Sequence, residues 1–532
     1  MHRRIAVIAA SLTLLTLTAG VSAAPAQATR PHGPVVAGID LERATIPDLQ
    51  RAMNKGRLSS VRLTTFYLNR IQALNPQLHA VIETNPDALR LAAASDARRR
   101  HHATRGLMDG IPVLLKDNID TADRQLTTTG SFALVGARPA RDAGLVSRLR
   151  DAGAVILGKA NQSEWAAYRS INGSSGWSAR GGQTNNPYVL DRNACGSSSG
   201  SGVAVSAHLA TVAVGTETDG SVVCPSAATG LVGIKPSLGL VSRSGVIPIT
   251  RQQDTPGPMA RNVVDAAILL AVLNGPDPRD QITVDARHHA LSDYTRFLRK
   301  NALRGKRIGV WRDVFGVSPE SLAALDRAVA QLHRLGASTV EIVPPYLDII
   351  DANEFPAIRT EFKHDIDAYL AATPGSHPGN LAGLWQFNLD NAAIEMPYFA
   401  QELWVRPMAS NGDLTDPAYL ALRNAARDAA QRSLDETLQN HNLDAIVAPT
   451  NNPAWKTVLG TGDAINFLPT SSPAAVAGYA HVTVPMAFTG PLPLGMSIMG
   501  GRFSEPTLLA IAYAFEQSTH VRKPPRLIPT IG

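Results

Sequence analysis

Apolar positions along the chain fall into two alternating textures, residues spaced three and four apart and short continuous blocks, and that alternation is what an α/β fold requires. Between Thr45 and Arg100 the pattern is helical. Leu63, Tyr67, Ile71 and Leu74 return every three or four residues behind Ser60, a residue type suited to capping a helix N-terminus. From Leu107 the texture changes. Gly110 to Leu115 and Ala154 to Leu157 are short, β-rich and followed by polar residues, as strands ending at the rim of a sheet would be. Thr211 to Val214 reads as a buried strand, and the small residues of Gly202 to Leu209 predict a helix packed close against it.

Further on, Arg307 to Trp311 and Thr339 to Val343 predict strands flanking a helix that opens at Ser318-Pro319 and stops at Gly336. That helix turns Leu322, Leu325, Val329 and Leu332 inward, so the unit is β-α-β and the class is α/β. From about 345 to 440 the chain is helical and rich in aromatics: Phe355, Phe362, Tyr369, Trp385, Phe387, Tyr398, Phe399 and Trp404. This predicts a helical excursion lying over the sheet. Core packing accounts for most of these rings, with a pocket lining as the sharper alternative. The sheet pattern resumes at Ala445 to Ala448 and His481 to Val484, and a closing helix is expected from Glu505 to Gln517.

A length of 532 residues exceeds one ordinary core, which predicts two or three domains or one large elaborated α/β domain. The formal charge of +6 is spread along the chain, so nucleic acid is not an expected partner. The densest basic run, Arg98 to His102, reads as a solvated helix end. Arg3 and Arg4, the apolar run Ile5 to Leu17 and the small-residue site Ala26-Gln27-Ala28 predict a signal peptide over residues 1–28. The mature domain is then 29–532, secreted or periplasmic, with no membrane contact after the signal is removed; even Ala266 to Leu273 is only a buried helix. A monomer is expected. The two cysteines, Cys195 and Cys224, are too few for a disulfide-built scaffold, and no HExxH or paired-histidine spacing accompanies them to make a metal site. A bridge between them is conceivable, but two buried thiols are the expectation.

Two serine-bearing, glycine-rich loops carry the candidate chemistry: CGSSSGSG, Cys195 to Gly202, and GTETDGSVVCP, Gly215 to Pro225. A serine hydroxyl is a poor nucleophile at neutral pH and needs a base. Lys116 follows the apolar run Ile111 to Leu115, where desolvation would favour its neutral form, although an ion pair with Asp117 or Asp120 is the plainer reading. Gly220 allows a sharp turn that can aim successive N–H groups at one point in front of Ser221. Gly196 to Gly200 also satisfies GxSxG, which would make Ser198 the nucleophile, but that elbow needs an apolar strand before it and Leu190 to Cys195 reads LDRNAC.

Taken together these residues resemble the amidase signature family, serine hydrolases that use a serine, a second serine after a cis peptide and a lysine. The matching pieces are GIPVLLKDNID (Gly110 to Asp120), GKANQSEWA (Gly158 to Ala166), GQTNNPY (Gly182 to Tyr188), both serine loops, GLVGIKPSLGLVSRSGVIP (Gly230 to Pro248) and LPLGMSIMGGRFSEPTLLAIAYAFE (Leu492 to Glu516). The resemblance implies one large α/β domain with a central mixed sheet flanked by helices. It also implies that Lys116 is the lysine, Ser197 the cis-serine and Ser221 the nucleophile, with backbone N–H groups of Thr218, Asp219 and Gly220 forming the oxyanion hole. No metal and no cofactor enter that chemistry. Two departures stand out: Ser221-Val222-Val223-Cys224-Pro225 lacks the usual arginine, and Cys195-Gly196-Ser197-Ser198 replaces Gly-Gly-Ser-Ser. Both are similar to the bacterial peptide amidase branch, which implies hydrolysis of the C-terminal amide of peptides. Aryl or fatty acylamides are the alternative substrates. A non-catalytic exported binding protein, or a subunit of a complex acting on charged transfer RNA, are the alternatives of other kinds. Trp165 and Trp177 join the aromatics after Pro345 as candidates for the pocket wall.

Overall fold

The structure, a computed structural model, describes residues 34–463 and 466–531; the signal peptide expected at 1–28 lies outside the described residues. Fifteen strands occur among them. In chain order they are β1 (Val35–Val36), β2 (Ile39–Asp40), β3 (Val81–Thr84), β4 (Pro112–Lys116), β5 (Val155–Ala160), β6 (Trp177–Ser178), β7 (Gly182–Gln183) and β8 (Val212–Glu217). There follow β9 (Val232–Lys235), β10 (Thr255–Ala260), β11 (Arg307–Val310), β12 (Ser338–Glu341), β13 (Ala445–Pro449), β14 (His481–Thr489) and β15 (Leu492–Met499). Eleven of them form one sheet in the order β12-β11-β13-β15-β14-β9-β10-β8-β4-β5-β3, and the other four make two small ribbons. One sheet therefore serves the whole described chain, which is a single large α/β domain with a mixed sheet flanked by helices.

The mixture of directions has a local cause. Strands joined through helices pair in parallel, as in β4 with β5 and β11 with β12, whereas the short connection between β14 and β15 makes a hairpin. Every residue of β4, β5, β8 and β9 is buried, so these strands read as continuous apolar blocks rather than alternating ones. The register decides where the chemistry lies. β4 and β8 are parallel neighbours, with Leu115 opposite Val214, so Lys116 and the loop after Glu217 leave the sheet at the same edge.

Several local expectations shift. The N-cap of helix Ser60–Leu78 is Ser59, whose hydroxyl accepts from the Arg62 N–H; Ser60 instead donates across to the carbonyl of Gly110. The apolar period is the same for either cap and does not distinguish the two serines. β3 interrupts the helical stretch, and the small-residue helix is Ser199–Ser206, starting before Gly202. β10, with one glycine and two prolines in six residues, shows no strand period. The basic run at the end of helix Ala88–Arg100 is not simply solvated: Arg98 grips the buried carboxylate of Asp109 with two hydrogen bonds, at 2.6 and 3.0 Å.

Between 345 and 440 run the helices Leu347–Ala372, Leu381–Asp390, Ala392–Glu395, Val405–Ala409 and Pro417–Asn440. They enclose their own apolar cluster, in which Phe362, Tyr369 and Trp404 meet Trp165 and Tyr168 from the loop after β5. The rings of Trp165 and Trp404 meet edge to face at 5.5 Å. Phe355 and Tyr398, by contrast, are about half exposed. Phe362 is wholly buried at the middle of this cluster, so Phe362→Ala is expected to destabilise the protein by about 3–5 kcal/mol in denaturant unfolding. A loss below about 1 kcal/mol would mean that the excursion does not fold as one unit with the sheet.

Candidate active site

Lys116 ends β4 with no exposed surface, and its neighbours explain what a lysine can do there. Its Nζ lies 2.7 Å from Ser197 Oγ, 3.0 Å from Thr216 Oγ1 and 3.2 Å from the Thr216 carbonyl. All three partners are neutral oxygens. The ion pairs considered for it do not form: Asp117 accepts from the Thr128 hydroxyl and the Gly130 N–H, and Asp120 accepts from the Tyr369 hydroxyl at 2.8 Å. Burial pushes the Lys116 ammonium down to about 7, against a smaller upward pull from the carboxylates of Asp254 and Glu217. Near neutrality, then, much of this lysine carries a lone pair directed among hydroxyls.

The first serine loop is shaped by close approach. The Gly196–Ser197 peptide is cis, and the Ser197 carbonyl accepts from the Ser163 N–H at 3.0 Å. A side chain at Gly200 would stand 2.3 Å from the Asn161 carbonyl oxygen and 2.4 Å from that of Ala80, so only glycine fits there. Ser198 is stitched to its surroundings. Its hydroxyl donates to the Thr216 carbonyl and accepts from the Thr216 N–H, and its own N–H donates to the Ser221 carbonyl at 3.2 Å. With both hydroxyl functions committed to β8, Ser198 is a brace between the two loops.

The second loop makes a turn with unused donors. Gly220 adopts φ +76°, and the short helix Val223–Ala228 begins just after Ser221. Glu217 takes the N–H groups of Val222 and Val223 at 2.8 and 3.0 Å, the Cys224 N–H goes to the Gly220 carbonyl, and the Thr218 hydroxyl goes to Asp254 at 2.6 Å. Among the described residues the backbone N–H groups of Thr218, Asp219 and Gly220 have no protein acceptor, and neither has the Ser221 hydroxyl a partner. Such a run of free N–H groups suits an anionic oxygen. Ser221 is only half-buried, whereas Ser197 is 1% exposed, so the former faces an incoming molecule and the latter faces the lysine. The arrangement can move a proton from a hydroxyl towards Lys116 while holding negative charge beside Ser221.

The cysteines correct an expectation. Cys195 and Cys224 are joined by a disulfide, with Cα atoms 5.9 Å apart across a sequence separation of 29, in place of two buried thiols. Spacing alone could not reveal that the two serine loops fold back to back. The bridge is covered by the partly buried rings of Trp455 and Phe467. Trp455 in turn donates to Asp463 at 3.0 Å, a buried carboxylate that also takes the Ser175 N–H. Of the two tryptophans proposed for a pocket wall, Trp165 belongs to the core under the excursion, while Trp177 packs against Tyr398 and Phe399. Thr216 and Glu217 were within reach of sequence reasoning, since they belong to the quoted GTETDGS. Asp254 had no local signal.

A protein-family model described as Amidase matches residues 62–509. A probable amidase of Arabidopsis thaliana is 42% identical over 498 residues, covering 92% of each chain. The crystal structure of native peptide amidase from Stenotrophomonas maltophilia superposes with a TM-score of 0.87 at 47% identity, over 91% of this chain and 98% of that one. A structure of the peptide amidase in complex with the competitive inhibitor chymostatin gives the same TM-score, 0.87, and the same 47% identity, over 91% and 99%.

Closing a loop of 29 residues restricts the unfolded chain by roughly 3–4 kcal/mol. Replacing Cys195 and Cys224 together by serine is accordingly expected to lower the thermal midpoint by roughly 3–4 °C in calorimetry, the small shift reflecting the length of the chain. An unchanged midpoint would show that the bridge contributes nothing to stability.

Proposed function

The chain belongs to the amidase signature family, and on that premise we propose that it is an exported serine amidohydrolase which removes the C-terminal amide of peptides through an acyl-enzyme on Ser221. It is an amidase hydrolase; the substrate, the residue roles and the export are the proposal. The observation that carries the mechanism is the 2.7 Å contact between the buried Lys116 Nζ and Ser197 Oγ, made beside the turn that bears Ser221. Neutral Lys116 takes the proton of Ser197, Ser197 takes that of Ser221, and the Ser221 oxygen attacks the amide carbon. The carbonyl oxygen becomes an oxyanion facing the N–H groups of Thr218, Asp219 and Gly220. Collapse breaks the carbon–nitrogen bond as Ser197 returns a proton to the leaving nitrogen, which departs as ammonia. Water then attacks the ester as its proton passes through Ser197 to Lys116. On collapse Ser197 returns a proton to the departing Ser221 oxygen, Lys116 restoring that of Ser197, so that the acid leaves and the serine is regenerated.

Peptide carboxamides are favoured as substrates by the likeness to solved peptide amidases over nearly the whole chain. Export is favoured by the arginine pair and apolar run at the N-terminus, and the Cys195–Cys224 bridge suits an oxidising compartment. The mature enzyme acts as a monomer, without metal or cofactor, and away from the membrane.

Because the neutral amine is the base, activity is lost on protonation. The kcat/KM is expected to rise with pH through about 7 and to fall roughly tenfold per pH unit below it. Lys116→Ala is expected to lose about 10²–10⁴-fold in kcat and this acid limb with it; full turnover in that variant would overturn the mechanism. A panel of peptide amides, acylanilides and simple amides, assayed for ammonia or amine release, tests the substrate. Hydrolysis of acylanilides with no peptide amide cleaved would overturn the peptide assignment while leaving the serine chemistry intact.

A further inference from the structure

The oxyanion-hole turn is held from behind by a residue outside every matched motif. Gln253 lies in the turn before β10, 1% exposed, and its side-chain Nε2 donates to the Thr218 carbonyl at 3.3 Å and to Glu354 Oε1 at 2.8 Å. Its Oε1 accepts from Arg423 Nη1 at 2.7 Å. A guanidinium can only donate, so Arg423 fixes which end of the amide is oxygen and leaves the NH₂ for Thr218. Arg423 is itself locked in a bidentate pair with the buried Glu361, which also takes the hydroxyls of Thr250 and Tyr419. Glu354 and Glu361 stand on the helix Leu347–Ala372 and Arg423 on Pro417–Asn440, both in the helical excursion.

The geometry of one peptide plane converts this anchorage into a catalytic consequence. The Thr218–Asp219 peptide is trans, so the Thr218 carbonyl and the Asp219 N–H point in opposite directions from one rigid unit. Fixing the oxygen behind the turn therefore fixes the N–H in front of it. We propose that Gln253 is a positioning residue for amide hydrolysis: by binding the Thr218 carbonyl it aims the Asp219 N–H at the developing oxyanion, and Arg423 and Glu354 hold it to that task. The chain of donors from the Arg423 guanidinium through the Gln253 amide also polarises the Thr218–Asp219 peptide in the sense that strengthens its N–H as a donor. The excursion thereby acts on the reacting atoms through the backbone of the turn. This inference rests on the oxyanion-hole reading above.

Gln253→Met removes both functions at similar size, and Gln253→Glu keeps an acceptor for Arg423 while removing the donor to Thr218. Both are measured for kcat and KM on a peptide amide and for inhibition by a peptide aldehyde, whose adduct with the serine places an oxyanion in the hole. The expected result in each folded variant is a loss of about 10–100-fold in kcat, a matching rise in the aldehyde Ki and a KM within about twofold of wild type. A purely structural role would lower the melting temperature and leave those ratios alone. Gln253→Glu with wild-type kcat and aldehyde affinity overturns the proposal, and so does a parallel change in KM and Ki. A separate control isolates the premise: the aldehyde must bind wild type and fail to bind Ser221→Ala, and if it does not, the nucleophile assignment is what fails.

Discussion

A lysine amine buried without a carboxylate partner is the constraint on which the rest of the site depends. Removing an ammonium from water is costly, and a protein ordinarily answers with a counter-ion. Here the ammonium is answered only by hydroxyls and a carbonyl, from Ser197 and Thr216, and the neutral form becomes accessible near physiological pH. Acidic groups are close by. Each has hydrogen bonds of its own: one oxygen of Asp117 with Thr128 and Gly130, Asp120 with Tyr369, one oxygen of Glu217 with the N–H groups after Ser221, and Asp254 with Thr218 and the backbone of Ile249 and Thr250. These bonds orient the turn and at the same time keep the acids from capturing the lysine.

The sheet supplies the registration. Parallel pairing of β4 with β8 delivers the lysine and the second serine loop to one edge, and the helix Ser199–Ser206 brings the first loop onto that edge from the side. The loops are held to each other by Ser198, through its N–H on the Ser221 carbonyl and its hydroxyl on Thr216, and by the Cys195–Cys224 bridge. The excursion in turn holds the second loop, through Gln253 on the Thr218 carbonyl. The candidate groups, which arrive from separate stretches of chain, are thereby placed on packed, buried elements.

Legibility in the sequence followed locality. The strand carrying Lys116, the β-α-β unit and the closing helix were readable because their apolar period or block is uninterrupted. The serine loops were readable because glycines crowd where the backbone makes close approaches. What failed to show was long-range or aperiodic. β10 reads Thr-Pro-Gly-Pro-Met-Ala, which has no strand signature, and its pairing with β8 is what brings Asp254 under Thr218. The bridge between the cysteines needed the fold to be known. Gln253 and Arg423 are 170 residues apart, and neither sits in a stretch whose composition hints at a partner. Trp165 shows a related limit, since an aromatic in a motif looks the same whether it lines a pocket or, as here, fills the core beside Trp404.

The proposed mechanism has Ser221 alone form the covalent bond, although of Ser197, Ser198 and Ser221 only Ser197 contacts the lysine. It is tested most directly by treating the protein at neutral pH with a fluorophosphonate and locating the adduct by peptide mass spectrometry. The account predicts a single adduct on Ser221. An adduct on Ser197 or Ser198, with Ser221 unmodified, would contradict it.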